Sequence, residues 1–160
     1  MDLDALIAYD DRQRMIPVDA AALRAAVAAY ATGDTYRQQR MAGVGCVVLG
    51  DYDRAFMFFE RARRHADTPA RRLVLDMNVA DAHRYRGDLA ESERRFRDAL
   101  RRARESDTYV DFALQHLGKC LIDRGRLPQA RRVLTEALRL RVRDGDESLI
   151  ASTQAALALT

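Results

Sequence analysis

The stretch GRLPQARRVLTEAL, Gly125 to Leu138, decides how the rest of the chain is read. A glycine opens it and a proline follows at Pro128. From Ala130 the pattern is small, large, small at Ala130, Leu134 and Ala137. Residues at i, i+4 and i+7 share one helix face. On such a face the small side chains admit a neighbouring helix and the large one fills the gap. Pro128 fits the first helical turn, where a missing N–H leaves no intrahelical bond unmade.

The pattern occurs three times. GDYDRAFMFFERAR begins at Gly50 and GDLAESERRFRDAL at Gly87, so the three glycines are 37 and 38 residues apart. The small–large–small face becomes Ala55, Phe59 and Ala62 in the first copy, and Ser92, Phe96 and Ala99 in the second. Ahead of each glycine lies another helical stretch. LQHLGKCLIDRG shows it most clearly, with Leu114, Leu117, Gly118 and Leu121 as its packing stripe. Val79, Ala80 and His83 are the equivalents before Gly87, and Ala42, Gly43 and Cys46 those before Gly50. The unit is helix, glycine turn, helix. One pair cannot bury its own apolar face, but stacked pairs can.

The combination Leu117-Gly118-x-x-Leu121 followed by Ala130, Leu134 and Ala137 resembles the tetratricopeptide repeat family. The resemblance covers roughly residues 35–160. It departs from the family where a large residue opens the first helix, since Gln39 and Asp76 stand there. The spacing also exceeds the family's usual repeat of about 34 residues. The resemblance implies an all-α, right-handed array of antiparallel helical hairpins. The phrase TEALRLRVRDGDESLIASTQAALA further resembles arrays attached to bacterial regulators and signalling ATPases.

Around the repeats, the sequence predicts a short helix near Asp2 to Asp11 and a second from about Val18 to Thr32, started by Pro17 and ended by Gly33. Residues 1–34 are thus expected as a helical N-terminal extension. Residues 35–160 are expected as three hairpins, near 35–66, 69–106 and 108–143, plus a C-terminal capping helix from Glu147 to Leu159.

Composition supports this reading. Apolar residues make up 48% and charged residues 32% of 160 residues, enough for one core, with few glycines and prolines. A net charge of +3 comes from arginines scattered among acids, which describes solvated helix faces rather than a nucleic-acid stripe. The acidic start MDLDALIAYDD is unlike a secretory signal, and no apolar run approaches a membrane span. A cytoplasmic location is expected, with neither membrane nor nucleic acid as partner.

No catalytic constellation emerges. His65, His83 and His116 share no i, i+4 face, and Cys46 and Cys120 are distant in sequence, so no metal site and no cofactor is expected. MAGVGCVVLGD lacks the lysine–serine ending of a phosphate loop. His83 reads as a core residue, whereas His116 is placed to face a groove.

The family resemblance implies that the first helices of successive repeats line a concave surface for a protein or peptide. Carried over by position, the candidates are Arg37, Arg40 and Val44, then Asn78, Asp81 and Tyr85, then Gln115 and Lys119. Amides can bond both N–H and C=O of a peptide backbone, and arginine can hold a carboxylate in a bidentate way. Arg40 and Asn78 form the leading pair. Met77 and Asp81 stand where a terminal-carboxylate clamp would need basic or amide groups, and Asp81 would need Lys119 as counter-ion. The expected function is a non-enzymatic adaptor. The alternative is an oligomerisation module or a detached regulatory domain, with Leu3, Leu6 and Ile7 or the apolar ending ALALT as homodimer surface. The leading segment is also placed to plug its own groove.

Overall fold

The computed structural model describes residues 2–160, which form two compact units, 2–87 and 88–160. The first opens with a 3-10 turn, Asp4–Leu6, and a two-stranded antiparallel hairpin, β1 (Ile7–Tyr9) and β2 (Met15–Pro17). Four helices follow: α1 (Ala20–Ala31), α2 (Tyr36–Val48), α3 (Tyr52–Arg63) and α4 (Pro69–Arg86). The second unit holds α5 (Leu89–Ser106), α6 (Val110–Asp123), α7 (Leu127–Asp144) and α8 (Glu147–Leu157). In each unit consecutive helices pack in antiparallel fashion, and α2 also meets α4 as α6 meets α8. This is the helical-hairpin array expected of the repeats. No helix among the described residues is long and apolar enough to cross a membrane.

The helix boundaries follow from local chemistry. Thr35 and Thr68 cap α2 and α4 by accepting the backbone N–H of Gln38 and Arg71 at 3.2 and 3.1 Å. Such caps satisfy donors that the first turn leaves orphaned. Pro69 and Pro128 sit in the first turns of α4 and α7. At the inner turns the chain reverses through Gly50 and Gly125, whose φ values of 78° and 71° lie in the left-handed region that a side chain disfavours.

The repeated face is the packing face. Ala55, Phe59, Ala62, Ser92, Phe96, Ala99, Ala130, Leu134 and Ala137 are all wholly withdrawn from solvent. In the first unit Phe58 and Phe59 of α3 join Ala42, Cys46 and Val47 of α2, with Leu75, Val79 and Ala82 of α4 closing the cluster. Burying a side chain of that size contributes roughly 1.5–3 kcal/mol. Packing between α2 and α3 is close enough that a Cβ on Gly43 would lie 2.4 Å from the Phe59 ring.

The N-terminal segment corrects the sequence reading. Residues 2–11 do not form a helix, and Pro17 ends β2 rather than starting α1, whose cap is Asp19. Asp10 Oδ1 accepts the backbone N–H groups of Arg12 and Arg14 at 2.9 and 2.8 Å, which folds the turn, and Gln13 adopts a φ of 58°. Residues 2–34 are therefore α-helical only in α1. Leu3 is wholly buried against Leu23, Ala26 and Met41, and Leu6 and Ile7 pack on the same cluster. These three residues serve the chain's own interior instead of forming an open homodimer face. At the other end, α8 presents no large apolar side chain in full exposure.

Candidate functional site

The candidate residues lie on α2 and α4 in the first unit and on α6 in the second. On the first unit Arg40 and Asn78 meet directly: Arg40 Nη1 donates to Asn78 Oδ1 at 3.1 Å. Both are half-buried. Arg37 is exposed, and Val44 packs against both of the unit's apolar clusters.

One turn further along α4, Asp81 is buried at 6% exposure. It pairs with Arg84, itself 3% exposed, at 3.6 Å. Sequence reasoning passed over Arg84, although a carboxylate three residues before an arginine is a local helix-pair signal. The buried pair matters because removing either partner would leave an uncompensated charge.

Tyr85 carries the most specific contact. Its Oη accepts the backbone N–H of Met15 at 2.6 Å, and the Arg14 guanidinium lies 4.5 Å from its ring centroid. Burial pushes the Tyr85 phenol up to about 12, with Asp81 adding and Arg84 and Arg14 opposing. Burial likewise raises Tyr9 of β1, with Asp81 and Asp4 adding, although its ring keeps a large exposed surface. The β-hairpin therefore lies on α4 and touches α2 through β2. The leading segment, expected as a helix, thus packs on these two helices as a hairpin.

In the second unit the candidate residues are not open. Gln115 and Lys119 are 3% and 8% exposed, so the expected exposed lysine is absent; both lie in the packed layer of α6. Gln115 Nε2 donates to Ser152 of α8 at 3.4 Å, while its Oε1 is buried without a hydrogen-bond partner. His116 stacks on Phe96 of α5, with centroids 5.7 Å apart, instead of facing a groove. His83 meets Phe56 at 4.9 Å, a packing contact.

Two buried charges of this unit were not singled out by sequence. Arg141 of α7, 3% exposed, donates to Asp111 Oδ2 at 2.9 Å and to Thr153 Oγ1 at 2.9 Å, tying α6 and α8 to α7. Glu93 of α5, 5% exposed, accepts from Arg97, Arg124 and Arg126 at 2.8, 2.6 and 3.2 Å. Burial pushes the Glu93 carboxyl up, but its arginines push it further down, and the net position is below the usual carboxylate range. These are interior struts, invisible to periodicity because arginine and glutamate normally mark the solvent face.

Among the described residues, no group of three His, Cys, Asp or Glu side chains is placed to hold a metal ion. Burial raises the Cys46 thiol to about 11, which makes it a poor nucleophile.

Comparison with characterised proteins finds no match to this chain. Residues 71–142, from the first turn of α4 into the last turn of α7, match the family model of the tetratricopeptide repeat.

Proposed function

We propose that the protein is a non-enzymatic adaptor that binds a protein or peptide on the inner face of α2 and α4. Tetratricopeptide repeats are in general protein-interaction modules. The observation that carries the reading is that this face already holds an extended polypeptide, the chain's own β2, through a backbone N–H bonded to Tyr85. Arg40 and Asn78, joined across the two helices, supply polar side chains on the same pair of helices. A surface able to seat one extended strand by its backbone has the donors, acceptors and aromatic faces to seat another.

Panning a display library of short peptides against the chain tests this. Selected binders should lose at least about tenfold in affinity, or about 1.4 kcal/mol, for an Arg40→Glu, Asn78→Ala double variant. The variant's melting temperature should match the parent's. Binders indifferent to both substitutions would place the interaction elsewhere.

A further inference from the structure

The hairpin shows what its seat selects. The ladder bond from the Asp10 N–H to the Arg14 carbonyl, 2.9 Å, makes Asp10 and Arg14 a hydrogen-bonded pair. In an antiparallel ladder the next pair, Tyr9 and Met15, then turns its N–H and C=O groups outward. Tyr85 Oη takes that outward Met15 N–H, as a neighbouring strand's carbonyl would. The contact reads an extended backbone and asks nothing of the side chain. Selectivity comes from the flanking groups. The Arg14 cation lies over the electron-rich Tyr85 ring, and the buried Asp81 carboxylate sits one turn away on the same helix. Met15 packs against the apolar cluster that also takes in Val44 and Tyr85.

The attachment of this segment is uneven. At its base Leu3 is wholly buried, and the Val18 N–H donates to the Leu6 carbonyl at 3.0 Å. Its turn is held by bonds within residues 10–14. Its outer side leaves Ile16 and Val18 exposed at 40% and 64%. The base is part of the core and the tip is a self-contained loop laid onto α4.

We propose that the inner face of α4 is a docking site for an extended peptide bearing arginine or lysine directly followed by a large apolar residue, and that the chain keeps this site filled with its own Arg14–Met15. The inference rests on the adaptor reading above and specifies its ligand. A partner segment of that chemistry displaces the tip while Leu3 and the base stay in place. Because the occupant is tethered, it competes at an effective concentration on the order of millimolar, so the intact chain is a poor binder until the tip is released.

The test uses a labelled peptide with the sequence of residues 10–18, DDRQRMIPV, and two released chains. In one, residues 9–15 are replaced by Asn-Gly, which joins the hydrogen-bonded register partners Ala8 and Ile16 in a tight turn. In the other, Arg14→Glu in the intact chain replaces the cation over the Tyr85 ring with a carboxylate, and this variant carries the test if the shortened chain does not fold. Fluorescence anisotropy should show each released chain binding the peptide at least about tenfold more tightly than the intact chain. The peptide carrying Arg14→Glu or Met15→Asp should bind none of them. Equal affinity for intact and released chains, with unchanged circular dichroism, would show that the hairpin does not occupy the site. No binding by either released chain, while library-selected peptides still depend on Arg40 and Asn78, would overturn the proposed ligand and leave the adaptor reading standing. Loss of both would overturn both.

Discussion

Gly118 of α6 lies so close to Leu134 of α7 that a Cβ added there would fall 2.5 Å from the leucine side chain. Leu134 is wholly buried and meets the added atom with its branching carbon as well as its methyls, so a small rotation does not clear it. Gly118→Ala gains about 1 kcal/mol of helix propensity. The overpacking costs about 1–3 kcal/mol and outweighs that gain. Urea denaturation should show a net loss of up to about 2 kcal/mol at an unchanged m value, and Leu134→Ala combined with it should recover part of the overpacking cost.

Arg141 ties three helices from a position with almost no solvent. Removing its guanidinium leaves Asp111 without its 2.9 Å donor and Thr153 without its own. Arg141→Ala should destabilise the chain by about 3–5 kcal/mol, the range for breaking a buried pair. The Arg141→Met, Asp111→Leu double variant should recover at least half of that loss, since no stranded charge remains. Guanidinium melts of the three chains measure the coupling.

Glu93 makes stability depend on pH with a definite sign. Its folded pKa lies below the unfolded value of about 4.3, so its contribution is complete above that value and disappears as pH falls through the folded pKa. Glu93→Gln should therefore cost about 1–3 kcal/mol at pH 7. That difference should shrink steadily between about pH 5 and pH 3. A penalty for Glu93→Gln that stays constant down to pH 3 would contradict the arrangement of arginines around it.

Cys46 should behave as a buried hydrophobe. Burial raises its thiol to about 11, and it is 1% exposed. Iodoacetamide at pH 8 should modify it at least about a hundredfold more slowly than a free thiol of ordinary pKa, near 8.5. Mass spectrometry over a time course, with and without denaturant, measures the ratio.

How much the sequence reveals depends on whether the signal is local. The glycines at 50, 87 and 125 and the faces built on Phe59, Phe96 and Leu134 are local patterns repeated three times, and the helices and their buried sides follow from them. Arg40 and Asn78, chosen by position in the repeat, do meet. The leading segment is different. Leu3, Leu6 and Ile7 fall at i, i+3 and i+4, which imitates a helix, and the turn after β1 contains no glycine. Asp10 folds that turn with its side chain, and Gln13 takes the left-handed conformation that glycine would have advertised. Gln115, Lys119, Arg141 and Glu93 look like surface residues because their burial depends on packing with other helices, which no window of one helix contains.

Gly125, the first residue of the stretch that decided the fold, has a φ of 71° and nothing within 4 Å of where a Cβ would stand. Its constraint is thus one of chirality and not of room. A chain assembled by chemical ligation with D-alanine at that position should fold as readily as the parent, whereas L-alanine should weaken the α6–α7 pair. The mirror-image residue fits because its preferred backbone angles are those the turn already has.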